Sequence, residues 1–166
     1  YALMKAYREH HGRVERGAYP AILTSASAHF SIARAAVAAG LGTDAVVHIR
    51  TDAHGRMDVR ELERMCAEMQ ADAAHPQGVP LIVCATSGTT VLGAFDDVAA
   101  IAEVCRKYDL WLHVDASWGG AAAFLPHDAP ERSVLAGLEN AHSITINPHK
   151  LLGVTHQCSF LLVHDK

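Results

Sequence analysis

The 166-residue chain is 50% hydrophobic and 19% charged, with a formal net charge of −4 at pH 7, the balance of one ordinary globular domain with its own core. A slight acidic excess without any basic block makes nucleic acid and anionic membrane surfaces unsuitable partners. No apolar run approaches the roughly 20 residues that span a bilayer, and the first residues lack a signal-peptide pattern.

Along the chain, strand-like apolar runs alternate with helix-like periods. Residues 1–10 read as a helix already under way, with no N-cap before them. Residues 21–24 form a short strand, and residues 31–39 an alanine-rich helix stopped by Gly40 and Gly42. Residues 45–49 make a second strand. Asp58, with Glu61 three residues on, predicts a capping box that opens a helix running to about residue 74. Residues 80–86 are a continuous apolar strand. Residues 97–108 are an amphipathic helix with Val98, Ile101, Ala102 and Cys105 on one face. Residues 110–114, 143–146 and 159–163 supply the remaining strands.

Apolar strands separated by helices predict an α/β fold, a mostly parallel sheet with helices on both faces. The last connection differs. Only 12 residues separate Ile146 from Ser159, Pro148 and Gly153 among them; that is the lower limit for a crossover, so the last strand is expected to run antiparallel. Ligands of such sheets bind beyond the carboxyl ends of the strands. Three strands end in reactive residues: Thr86-Ser87-Gly88-Thr89-Thr90, Asp115-Ala116-Ser117 and Asn147-Pro148-His149-Lys150. These ends should converge on one crevice.

The 12 histidines are many for this length, but beyond the adjacent His10 and His11 they form no HExxH motif or Cys/His cluster, and no metal site is expected. The cysteines, Cys66, Cys84, Cys105 and Cys158, are far apart. Cys84 and Cys158 fall in apolar strand-like runs, where a thiol acts as a small hydrophobe. A reducing, cytoplasmic setting fits this usage.

An apolar strand delivers Asp115 to its carboxyl end. A buried carboxylate needs a partner, because desolvating an unpaired charge costs several kcal/mol; a cap, a structural ion pair and a functional carboxylate all meet that need. Lys150 comes 35 residues later behind a rigid Asn-Pro-His turn. Most lysines are solvated, but Leu151-Leu152-Gly153 offers an apolar surround. Such a surround lowers a lysine pKa and makes the amine nucleophilic enough to form a Schiff base.

Several motifs then fall into one order. They are Thr24-Ser25-x-x-x-His29; Ala85-Thr86-Ser87-Gly88-Thr89-Thr90-Val91-x-Gly93-Ala94-Phe95-Asp96; Trp111-Leu112-His113-Val114-Asp115-Ala116-x-Trp118-Gly119-Gly120; Asn147-Pro148-His149-Lys150; and Gln157-Cys158-Ser159. From about Tyr1 to Asp165 the chain resembles the middle of the large domain of group II pyridoxal-phosphate decarboxylases, above all the glutamate and cysteine-sulfinate decarboxylases. The resemblance implies the fold-type I large domain of pyridoxal-phosphate (PLP) enzymes, with residues 1–166 a part of it. The family's phosphate loop would precede Tyr1, and its small domain would follow Lys166.

The resemblance also implies roles. Lys150 would carry pyridoxal 5'-phosphate as a Schiff base, and Asp115 would pair with the ring nitrogen. His29 would stack on the outer ring face; a histidine that caps a helix start is the plainer reading of that residue. Thr86 would lie near the ring oxygen, and Ala116 would pack beneath the ring. Asn147 and His149 would bond the phosphate or the substrate carboxylate, in either assignment. Ser117 stands where the family usually has alanine, and Ser87 where it often has alanine or leucine.

The expected activity is decarboxylation of an acidic amino acid, glutamate, aspartate or cysteine sulfinate, by a homodimer. Gln157-Cys158-Ser159 and Trp118 favour this acidic branch over the aromatic amino-acid decarboxylases, and the runner-up among enzymes is another pyridoxal-phosphate lyase or an aminotransferase of the same fold. His29 speaks against an aminotransferase. The alternative outside enzymes is a non-catalytic remnant, which would take up no pyridoxal phosphate. Residues 1–166 alone are expected to be inactive.

Overall fold

The computed structural model describes Lys5, residues 19–72, His75 and residues 77–164. The helix expected over residues 1–10 lies outside the described residues, Lys5 apart. The apolar runs are strands. β1 (Pro20–Ser25) is buried at every position and β3 (Val79–Thr86) at nearly every one, as strands covered on both faces must be. With β2 (Val46–Ile49), β4 (Trp111–Asp115), β5 (Ser143–Ile146) and β6 (Phe160–Val163) they form one sheet of order β2-β1-β3-β4-β5-β6. The first five strands run parallel. β6 pairs antiparallel with β5, Ile146 opposite Phe160. The reason is the one read from the spacing: residues 147–159 make turns and bends without a helix to carry a crossover.

Among the described residues, three α-helices connect the first four strands: α1 (Ser31–Ala38), α2 (Val59–Ala71) and α3 (Val98–Tyr108), and 3₁₀ turns lead from β4 to β5. From β1 the order steps one way to β2, then reverses to β3 and β4. Because parallel crossovers are right-handed, opposite steps put their helices on opposite faces. The core follows that rule. Ala21, Leu23, Val83, Ala85, Leu112 and Val114 face α2 and α3, where Leu62, Cys66, Met69, Ile101 and Cys105 are buried against them. The alternate positions Ile22, Ile82, Cys84 and Trp111 pack with Ala36 of α1. The fold is therefore the expected α/β sheet with helices on both faces and an antiparallel last strand.

Some local readings need correction. The Asp58 carboxylate caps α2, accepting from the N–H groups of Arg60 (3.0 Å) and Glu61 (3.2 Å), but the box does not close. Arg64, one turn on, holds the Glu61 carboxylate at 2.7 and 3.0 Å, and the Asp58 N–H already donates to the Arg50 carbonyl (3.0 Å). α2 ends at Ala71 with Asp72 extended, and residues 73–74 lie outside the described residues. Residues 43–45 form a 3₁₀ turn before β2. Cys158 is half-buried in the turn segment before β6, not in a strand. The other cysteines behave as hydrophobes: burial pushes the thiols of Cys66 and Cys84 up to about 12 and raises that of Cys105 as well.

One buried carboxylate ties the loop before α2 to the end of β3. Asp96 is 3% exposed; its Oδ1 accepts from the Met57 N–H (2.7 Å) and its Oδ2 from the Thr86 N–H (2.8 Å). Burial holds its carboxyl above the ordinary value, against the pull of those two bonds. The folded protein therefore keeps this proton to higher pH than the unfolded chain, and the site's contribution to stability falls as pH rises through that window. Asp96→Ala strands two N–H groups and should cost about 2–4 kcal/mol in urea unfolding of the whole protein. The gap from the parent should narrow as pH rises. An unchanged midpoint would contradict the role of this tie.

Candidate active site

Where the strand order reverses, the loops after neighbouring strands leave in opposite directions and a crevice opens at their carboxyl ends. A cavity of about 330 Å³ lies there, lined by His29 after β1, Thr86 in β3, Asp115 in β4, and Asn147 and Lys150 after β5. That volume is at the lower end of small-molecule sites, which run about 300–1,000 Å³. The three reactive strand ends do converge.

Each loop is fixed by its own bonds. After β3, Gly88 sits at φ 89°, a left-handed conformation that glycine adopts freely. The N–H groups of Gly88 and Thr89 both donate to the Ala94 carbonyl (3.0 and 2.9 Å), and Thr89 Oγ1 accepts from the Ala94 N–H (2.9 Å). At the end of β4, Asp115 Oδ1 accepts from the Ser117 N–H (3.0 Å). That bond fixes the carboxylate's orientation and, among the described residues, leaves its second oxygen with no hydrogen bond. The β3 and β4 loops are joined by the Ser87 N–H donating to the Asp115 carbonyl and the Gly119 N–H donating to the Ser87 carbonyl, each at 2.9 Å.

After β5, the Lys150 N–H closes a turn on the Asn147 carbonyl (3.0 Å), and Asn147 Oδ1 accepts from the Ser159 hydroxyl (2.7 Å). Lys150 Nζ lies 5.3 Å from the centre of the Trp118 ring. The apolar surround expected from the next residues is not there: Leu151 is 62% exposed and Leu152 38%. The side chain that faces the amine is aromatic, and its electron-rich face favours a cation.

Two other expected residues lie back from the cavity wall. His149 Nδ1 is engaged by the backbone of Cys158, 3.1 Å from its nitrogen and 2.7 Å from its oxygen. This clamps the turn segment and leaves Nε2 as the ring's other polar atom. Ala116 is fully buried against the sheet. His29 meets both readings of it: its Nδ1 accepts from the Ser31 N–H (3.3 Å) at the start of α1, and its ring lines the cavity. An accepting Nδ1 puts the neutral ring's proton on Nε2.

The wall also contains His113 and Thr145, which sequence reasoning did not single out for the site, and Trp118 and Ser159, which it used only to favour the acidic branch. A signal for His113 existed. It precedes Asp115 by two positions on a strand, and period-two alternation puts both on one face. His113 is 9% exposed, and burial holds its imidazole below the ordinary value against the opposing pull of the Asp115 charge. The set combines a primary amine, a carboxylate with a spare oxygen and imidazoles around one small cavity. Those are groups that can bind an aldehyde covalently, hold a protonated ring nitrogen and move protons.

Comparison with known proteins bears on the same residues. The family model described as the pyridoxal-dependent decarboxylase conserved domain matches residues 1–166. The chain is 48% identical over 145 residues to the acidic amino acid decarboxylase GADL1 of Mus musculus, covering 87% of this chain and 25% of that protein. It is 47% identical over 145 residues to the cysteine sulfinic acid decarboxylase of Homo sapiens, with 87% and 28% covered. The crystal structure of mouse CSAD matches with a TM-score of 0.85 at 43% identity, over 99% of this chain and 34% of that one. The chain thus spans about a quarter of the length of the curated relatives it matches.

Gly119 tests how tightly the wall is built. A Cβ there would lie 2.5 Å from the Ser87 carbonyl oxygen and would collide with the Phe95 ring, so backbone must move. Gly119→Ala should lower stability by about 1–3 kcal/mol in urea unfolding and displace the Ser87–Asp115 junction in a crystal structure. A variant that unfolds like the parent, with the junction in place, would mean that the loops are not locked together.

Proposed function

The chain belongs to the pyridoxal-dependent decarboxylase family, and we propose that its protein uses pyridoxal 5'-phosphate to remove the α-carboxylate of an acidic amino acid. The observation that carries the proposal is the meeting of Lys150, Asp115 and His29 around one cavity at the point where the strand order reverses. Their chemistry fits the cofactor. Lys150 offers an amine to its aldehyde, and Asp115 offers an unshared carboxylate oxygen to its ring nitrogen. When bound, the cofactor supplies a cationic ring that takes up the electron pair released as carbon dioxide leaves.

The residues of the chain do the rest. Lys150 Nζ would hold the cofactor, being the amine on the cavity wall that can condense with an aldehyde. Asp115 keeps the ring nitrogen protonated, each unit of pKa shift there being worth about 1.4 kcal/mol. His29 would cover the ring, its own orientation fixed through Nδ1 by the Ser31 N–H. Thr86, on the cavity wall, would border the ring oxygen, whereas Ala116, fully buried behind the wall, would act by leaving room for the ring. Asn147 reaches the phosphate or the substrate carboxylate from the cavity wall, whereas His149 can do so only through Nε2.

The relatives named as acidic amino acid and cysteine sulfinic acid decarboxylases support glutamate, aspartate or cysteine sulfinate as the substrate. We place the protein in the cytoplasm, a reading supported by cysteines that are free thiols, the state a reducing compartment maintains; the homodimer rests on the family resemblance.

Lys150→Ala in the whole protein should abolish both the visible, borohydride-reducible cofactor absorbance and carbon dioxide release from acidic amino acids. Persistence of that species would sink the assignment. Asp115→Asn should keep the cofactor bound yet lower turnover by about two to three orders of magnitude, because an amide does not hold the ring nitrogen protonated. Near-normal turnover would make Asp115 structural only.

A further inference from the structure

Below the cavity, on the face of the sheet that carries Asp115, lies a chain of buried polar groups. In register, His113 of β4 stands opposite Ser143 of β5, and Asp115 opposite Thr145. Trp111, His113 and Ser143 are 2%, 9% and 1% exposed. The Trp111 indole N–H donates to Ser143 Oγ (2.9 Å), and Ser143 Oγ lies 2.8 Å from His113 Nδ1. The direction of the bonds follows from elementary chemistry. An indole nitrogen only donates, so Ser143 receives that proton and must place its own elsewhere. A buried hydroxyl proton without an acceptor is costly, and among the described residues His113 Nδ1, 2.8 Å away, is within its reach. Nδ1 is then the accepting nitrogen, and the neutral ring carries its proton on Nε2. Nε2 lies 3.5 Å from Thr145 Oγ1, and His113, Thr145 and Asp115 all line the cavity.

We propose that His113 is a positioning residue of the cofactor site, held by a Trp111–Ser143 relay in its Nε2–H tautomer so that a neutral donor stands on the cavity floor beside Asp115. A charged imidazole in that place would share the Asp115 carboxylate with the ring nitrogen and weaken its hold. A neutral one leaves the whole negative charge for the cofactor. Burial works in the same direction, holding the imidazole below its ordinary value. The stacking of the His142 ring on Trp111, with centroids 5.0 Å apart, steadies the head of the relay. The tautomer follows from the side-chain hydrogen bonds of Trp111 and Ser143, against a weaker pull from the Ser143 backbone, whereas the consequence for the cofactor rests on the function proposed above.

The two parts have separate readouts. In the cofactor-free whole protein, ¹⁵N-histidine NMR at neutral pH should show the Nε2–H tautomer for His113, assigned by its loss in His113→Gln. Ser143→Ala should disturb that pattern and Ser143→Thr, which keeps the hydroxyl, should restore it. An Nδ1–H ring, an imidazolium, or indifference to Ser143→Ala would overturn the relay. In cofactor titration followed by visible absorbance, His113→Phe should weaken binding about tenfold, the size of effect expected from losing one buried hydrogen-bond donor at the cavity floor. His113→Gln, whose amide places a donor near the Nε2 position, should recover most of that loss. Equal behaviour of the two variants would overturn the positioning role. A parent that takes up no pyridoxal phosphate would remove the function and this role with it, and the NMR pattern would still decide the relay.

Discussion

A right-handed crossover leaves a parallel sheet little choice about where its helices go, and the reversal of strand order at β1 turns that constraint into a site. Stepping from β1 to β2 commits α1 to one face, and stepping back across β1 to β3 and β4 commits α2 and α3 to the other. The loops at the carboxyl ends of β1 and β3 therefore part company, and the space between them is bounded by whatever residues end the strands. Here those residues are His29, Thr86, Asp115 and Lys150. The chemistry is carried by side chains, but their meeting is a consequence of backbone handedness.

A crevice between loops would be too soft for covalent chemistry unless the loops were held, and each hold is local and specific. Asp96 fastens the end of β3 to the loop before α2. The close approach of Gly119 to the Ser87 carbonyl, which leaves no room for a Cβ, locks the β3 and β4 loops together. The His149 ring fastens the turn that presents Lys150 to the segment leading into β6. These contacts do not touch the cavity's reacting groups, yet a displacement of about 1 Å in what they hold would cost those groups their alignment.

Much of this was legible in the sequence because burial on both faces leaves a plain mark. The runs of β1 and β3 and the apolar face of α3 follow from periodicity, and the antiparallel β6 follows from a connection too short for a crossover. The convergence follows from Asp115 ending one strand and Lys150 lying just beyond the end of another. What escaped depends on competition among neighbours. The capping box needed the Glu61 carboxylate, and Arg64 took it. Leu151 and Leu152 read as an apolar surround, but hydropathy does not say which way a turn residue points, and both face outward while Trp118 covers the amine. His149 read as a ligand-binding residue; a backbone partner at Cys158 occupies its Nδ1, which limits that role to Nε2. His113 was within reach of strand alternation, although its tautomer depends on a hydroxyl from another strand.

The central claim is that this crevice holds pyridoxal phosphate through one particular amine, and the chemistry of that bond allows the amine to be located. Reducing the holoprotein with borohydride converts the link into a stable secondary amine, and mass spectrometry of the digest then finds the modified lysine. The account predicts the pyridoxyl group on Lys150 and at no other lysine in stoichiometric amount. A group found on Lys107, or on any lysine away from the carboxyl ends of the strands, would contradict it.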